Sequence, residues 1–171
     1  MSDAAPFAAS FHELTDAQAR ASLLGCLDVP RWADELLAGR PYDDDAALLE
    51  RARALCAGLT DDEVAQALSG HPRIGEKPSV GHNVSASQAE QRSVAASGSA
   101  VLEAIRVGNV AYERRFDRIF LVRAAGRSAE EVLEELTRRL RNSPEQEVRE
   151  VAGQLGEITM LRLEQLLATL R

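Results

Sequence analysis

Aromatic side chains are scarce in this chain: they make up 4% of 171 residues, with one tryptophan, Trp32. Sheets rely on aromatic and β-branched residues to fill their pleated faces, so the shortage argues against a sandwich or barrel. Cysteine is nearly absent. Cys26 and Cys56 are the only two, and both fall among apolar residues of helical segments, which reads as reduced thiols acting as small buried hydrophobes rather than as a disulfide framework. Positive charge is in deficit, with 20 Lys and Arg against 27 Asp and Glu, a formal net charge of -7. That leaves no basic face to grip nucleic acid or an anionic membrane. No apolar run approaches the roughly 20 residues that span a bilayer. The N-terminus lacks a positive start followed by an apolar run, and the Leu170-Arg171 end is no peroxisomal signal; the expected location is the cytoplasm. Phosphate-binding glycine loops, a Gly-x-Ser-x-Gly elbow and a histidine near either cysteine are missing too, so neither a cofactor nor a covalent intermediate is expected.

What is present is alanine, leucine and charge in helical order, with hydrophobic residues at 45%. The fold class expected is all-α, a single domain over residues 1–171 built from about seven to nine helices with one long functional loop. Residues 1–10 read as a loose arm. Thr15 and Gln18 form a capping box for a helix to about Leu27, with Ala17, Ala21 and Leu24 on its apolar face. Pro30 opens a second helix carrying Trp32, Leu36 and Leu37, closed by Gly39. Asp43 to Asp45 cap a third with Leu48, Leu49, Ala52, Leu55 and Cys56 on one stripe, and Thr60 and Glu63 box a short fourth that ends at Gly70. A long loop follows. Beyond it a helix from Ser87 to Val107 is expected to stop at Gly108, with Asn109 capping a short successor. Residues 119–122 are a compact apolar run, extended or strand-like, and Gly126 turns the chain. Ser128 and Glu131 box a helix with Val132, Leu133, Leu136 and Leu140 inward, whose C-terminal cations Arg138, Arg139 and Arg141 suit the helix dipole. Ser143 begins the last helix, to about Leu170.

Three polar residues stand out from these patterns. His71 starts the loop and precedes Pro72, which pushes it to extended geometry with its ring projecting from the helix end. Glu90 has Val94, Val101 and Ile105 within about 60° of it around a helix of 3.6 residues per turn, an expensive place for a carboxylate unless it caps the helix from Ser87. Arg162 lies four residues from both Ile158 and Leu166 on the apolar stripe of the last helix, so it must pair with a glutamate or hold a ligand. A metal site from His71, His82 and Glu76 or Glu90 matches no compact ligand spacing. An imidazole, a carboxylate, an arginine and the polar Ser87 and Gln91 suit non-covalent acid–base work on a small polar molecule.

At these residues the chain resembles the 2-oxo-4-hydroxy-4-carboxy-5-ureidoimidazoline (OHCU) decarboxylases. The ordered motifs are His71-Pro72-Arg73-Ile74-Gly75-Glu76, Ser87-x-x-Glu90-Gln91, Tyr112-Glu113-x-Arg115-Phe116, Phe120-Leu121-Val122, Gly126-Arg127-Ser128, Arg139-Leu140-x-Asn142 and Ile158-x-x-x-Arg162-Leu163, with Trp32 and Arg40-Pro41-Tyr42 upstream. The resemblance implies a cofactor-free, metal-free, homodimeric carboxy-lyase that turns a small ureidoimidazoline into (S)-allantoin, the last step of urate oxidation. It implies His71 and Glu90 as catalytic, Arg162 as the substrate-holding arginine, and Pro72, Ser87, Gln91 and Phe120, Leu121, Val122, Arg123 and Ala124 as pocket lining. The chain departs from that pattern at Asp117, where glycine is frequent, and lacks the tryptophan often found beside the Ser-x-x-Glu-Gln motif. Two other readings of the same residues are a catalytically silent helical interaction module and a metal-assisted amidohydrolase using His71 and His82.

Overall fold

The computed structural model describes residues 10–74 and 98–170. Among them the chain forms a 3₁₀ turn, Phe11–Glu13, and seven α-helices: α1 Asp16–Cys26, α2 Pro30–Ala38, α3 Asp45–Ala57, α4 Asp61–Ser69, α5 Ser99–Phe116, α6 Ala129–Arg139 and α7 Pro144–Thr169. There is no strand among the described residues, as the all-α expectation requires. The helices start where the capping chemistry places them. Thr15, Thr60 and Ser128 each accept the N–H of a residue three positions on, and Gln18, Glu63 and Glu131 return to the cap N–H. Each such cap is worth about 1 kcal/mol. Contacts divide the chain into two compact units, Met1–Gly58 with Ile158–Arg171, and Leu59–Glu157.

In the first unit α1 packs on α2 and α2 on α3. Trp32 is fully buried and its indole N–H donates to the Ala52 carbonyl at 3.2 Å, joining α2 to α3. Arg40, just beyond α2, donates to the carbonyls of Phe11 and Leu14 at 3.1 and 3.0 Å and pairs with Asp16. Phe11 is buried under it. The buried face of α1 is Ala19, Leu23 and Cys26; Ala17 and Ala21 are exposed and Leu24 only half-buried. The expected stripe of Ala17, Ala21 and Leu24 is not the buried one because alanines fit either face, while the larger Leu23 and the following Leu27 and Val29, all buried, decide the rotation.

The second unit holds α4, α5, α6 and the N-terminal part of α7. Its core joins Ile74, Ile105, Tyr112, Phe116, Phe120, Val122, Ala124, Val132 and Leu136. Here the expected helix stop at Gly108 is corrected. α5 runs straight through it to Phe116, and Asn109 is a buried mid-helix residue rather than a cap. A Cβ on Gly108 would lie 2.5 Å from Leu136 Cδ2, so this glycine lets α6 approach α5. The helix ends instead at Asp117, whose backbone is left-handed at φ 53° and ψ 38°. Nor does that helix run unbroken from Ser87: α5 begins at Ser99, with Gly98 extended at φ -64° and ψ 151°. The helix that carries Val101 and Ile105 therefore does not reach back past residue 98, and the stripe drawn from Glu90 through them is not one continuous helical face. The expected start at Ser87 itself lies outside the described residues. Residues 119–122 take neither helical nor strand form, and Gly126 turns the chain at φ 78°.

Candidate functional site

His71 is placed by the end of α4. Gly70 caps the helix, the His71 N–H donates to the Leu68 carbonyl at 3.0 Å, and its ring Nδ1 lies 2.8 Å from the Ala67 carbonyl. The ring therefore folds back on the last helical turn instead of projecting from it: the unsatisfied carbonyls of a helix end outcompete the extended placement. A carbonyl can only accept, so Nδ1 carries a proton.

The residues after His71 are held at three points. Arg73 makes a two-pronged ion pair with Glu113 of α5, Nε to Oε1 at 2.5 Å and Nη2 to Oε2 at 2.9 Å, which holds the Glu113 carboxyl below its ordinary range. The Ile74 carbonyl accepts from Asn109 Nδ2 at 3.1 Å, and the Ile74 side chain enters the core. Pro72, between His71 and Arg73, is half-buried. Histidine position is thus fixed by α4 on one side and α5 on the other.

The 120–124 segment lies in the same unit. Phe120, Leu121, Val122 and Ala124 are buried and Arg123 is half-buried. With no ladder to orient its peptide groups, the segment is held by side chains. Arg139, 0% exposed, donates Nη1 to the Leu121 carbonyl at 2.6 Å and stacks 4.7 Å from the Phe120 ring centroid. Its Nε and Nη2 reach Glu147 Oε1 at 2.8 and 2.5 Å, and Nη2 also donates to the Tyr112 hydroxyl at 3.3 Å. Tyr112 donates to Glu147 Oε1, and Asn142 Nδ2 to Glu147 Oε2 at 2.8 Å. Burial, and next the bond to Glu147, push the Tyr112 hydroxyl well above its ordinary value. Farther along, the Arg123 N–H donates to Gln154 Oε1 at 2.8 Å.

Arg139 and Glu147 were missed in the sequence, where Arg139 was counted with the C-terminal cations. The signal was available. Arg139 continues the stripe of Val132 and Leu136 at +7 and +3, and Glu147 precedes Val151 and Leu155 on theirs by four and eight residues. Motifs quoted separately, Tyr112-Glu113-x-Arg115-Phe116 and Arg139-Leu140-x-Asn142, turn out to be one network: Arg115 also donates to the Asn142 carbonyl at 2.9 Å.

Arg162 belongs to the first unit and is buried, at 6% exposed. Its charge counters in part the burial that pushes the Cys26 thiol up to about 12. Glu90, Ser87 and Gln91 lie outside the described residues, as do His82 and Glu76 of the metal alternative. Among the described residues no group of three His, Cys, Asp or Glu could hold a metal ion, and no helix is long and apolar enough to cross a membrane.

Against known proteins, the family model described as OHCU decarboxylase matches residues 12–164. The chain is 36% identical over 105 residues to the uric acid degradation bifunctional protein TTL of Arabidopsis thaliana, a match covering 59% of this chain and 32% of that protein. It therefore spans about a third of that relative's length. A crystal structure of OHCU decarboxylase in the presence of (S)-allantoin is similar at a TM-score of 0.73 and 25% identity, over 91% of this chain and 99% of that one. A crystal structure of (S)-allantoin synthase shares the fold at a TM-score of 0.67 and 20% identity, over 91% of this chain and 52% of that one.

Proposed function

The chain belongs to the OHCU decarboxylase family, and from that premise we propose that it decarboxylates 2-oxo-4-hydroxy-4-carboxy-5-ureidoimidazoline to (S)-allantoin, as a cytoplasmic homodimer and without a cofactor. The observation that carries this reading is the His71 ring, its Nδ1 committed to the Ala67 carbonyl inside a segment anchored by Arg73 and Asn109. The chemistry asks for little more than oriented polar groups. As the carboxylate leaves as CO₂, the electron pair of the breaking C–C bond passes toward the adjacent C=N, and the neighbouring ring carbon then takes a proton while the hydroxyl becomes a carbonyl. The overall change consumes one proton and releases one CO₂.

In this reading His71 Nε2 contacts the carboxylate and hydroxyl, holding the breaking bond perpendicular to the ring so that its electrons overlap the C=N. Glu90 hydrogen-bonds ring or ureido N–H groups and delivers the proton to one face. Arg162 holds a carbonyl oxygen and balances the developing negative charge, a task suited to its fork of donors. Pro72, Ser87, Gln91 and residues 120–124 line the pocket. His71→Asn tests the central role: kcat is expected to fall about 10²- to 10⁴-fold in an assay following loss of enzymatically generated substrate, with the far-ultraviolet circular dichroism unchanged. A folded variant with the parental rate would remove His71 from the mechanism.

A further inference from the structure

We propose that Arg139 and Gln154 are positioning residues for this reaction, fixing the peptide groups of residues 120–124 against the ureidoimidazoline; the inference rests on the function proposed above, which puts that segment in the pocket. Arg139 and Glu147 are 0% and 1% exposed. A fully buried ion pair is poor value as stabilisation, because the desolvation of both charges offsets their attraction, and apolar residues of similar volume serve a core as well. What an apolar residue cannot do is hold a carbonyl. The Glu147 carboxylate is saturated by Arg139, Tyr112 and Asn142, so the guanidinium is locked in orientation with one N–H directed at Leu121, in a segment that no ladder orients. Gln154, one turn of α7 from Glu150 and on the half-exposed side, takes the Arg123 N–H in the same way. Two side chains thus hold the Leu121 and Arg123 peptide groups. Between them lies Val122, 4% exposed, whose N–H and C=O make no backbone–backbone hydrogen bond among the described residues. Buried peptide groups require partners, and a planar ureide with N–H and C=O edges is a fitting one.

The test compares Gln154→Met, close in size but without an acceptor, with Gln154→Glu, which keeps the acceptor oxygen, and with Arg139→Lys, which keeps the charge but cannot serve Glu147 and Leu121 together. Small displacements of a reacting geometry cost up to about 10²-fold. Accordingly kcat is expected to fall about tenfold in Gln154→Met and about a hundredfold in Arg139→Lys, with KM changed less than kcat. Gln154→Glu should restore kcat to within about twofold of the parent, and the melting temperature of Gln154→Met should stay within about 2 °C. A parent that turns over while Gln154→Met matches it, or while Gln154→Glu is as impaired as Gln154→Met, overturns the positioning role alone. A parent that does not turn over overturns the proposed function, and this inference with it. Where Arg139→Lys fails to fold, the Gln154 pair decides.

Discussion

A histidine whose Nδ1 donates to a helix-end carbonyl has the proton on that nitrogen decided before any substrate arrives. His71 has that form because α4 ends at Ser69, two residues before it, leaving the Ala67 carbonyl in need of a donor. The His-Pro pair was legible as a loop start, but the direction of the ring was not: the restriction imposed by Pro72 acts on the backbone, whereas the helix end acts on the side chain. Asp117 shows the reverse. It departs from the family's frequent glycine, and the structure gives the position a backbone meaning, a left-handed residue closing α5. Left-handed geometry costs a residue with a Cβ about 1–2 kcal/mol, partly offset by the greater chain entropy that glycine loses on folding. Asp117→Gly is therefore expected to stabilise the protein by up to about 1 kcal/mol, raising the melting temperature by a few degrees in thermal denaturation; a lower melting temperature would mean that the aspartate side chain contributes more than its backbone costs.

At the scale of helices, starts were more legible than ends or faces. A Ser or Thr followed three residues on by Glu or Gln states a local chemistry, and Thr15, Thr60 and Ser128 all act on it. Glycine is ambiguous by comparison, since it ends helices and also lets them approach. Gly108 does the second, under Leu136, and only the position of another helix distinguishes the two. Gly108→Ala should cost about 1–3 kcal/mol by overpacking, read as a lower urea midpoint with an unchanged slope. Adding Leu136→Ala to it should cost less than the two single changes together, because the clash and the cavity fall at one place. Strict additivity would show that the alanine is accommodated by a shift elsewhere. The same limit explains the misread face of α1, where alanines cannot say which way they point.

For the whole molecule, the pattern of shifted groups sets a pH window. Glu113 beside Arg73, and Glu135 and Glu150 beside Arg138, are held below the ordinary 4.5. A lowered carboxylate contributes stability above its unfolded value and loses it as pH falls through the folded one, so these pairs weaken below about pH 4.5. Tyr112, and the Cys26 and Cys56 thiols pushed up to about 12 and about 11 by burial, are raised. Their contribution is present below the unfolded values, near 10 for the tyrosine and 9.0 for the thiols, and is lost as pH rises through the folded ones. The melting temperature is expected to be flat from about pH 5 to 9 and to fall on both sides, which a thermal series across pH checks; a steep slope near neutrality would place a further titrating group in the folding equilibrium.

The candidate site was legible in the same uneven way. His71 and Arg162 could be singled out because a polar group breaks an apolar or helical pattern, and Arg162 is indeed buried. Arg139 and Glu147 break such patterns too, but a cation near a helix C-terminus and an acid in a first turn each have an ordinary explanation that hides the burial. Their meaning depends on Tyr112 and Leu121, distant in sequence and adjacent only in the fold.

The most direct measurement is circular dichroism at a wavelength that reports allantoin chirality, with urate converted in place by urate oxidase and hydroxyisourate hydrolase, with and without this protein and with and without chelator. A decarboxylase is expected to give a fast, growing signal of the (S) hand that chelator leaves unchanged. A folded protein that leaves the slow, optically silent decay to racemate unaltered would contradict it and favour an interaction module, and a signal abolished by chelator would favour metal-assisted chemistry.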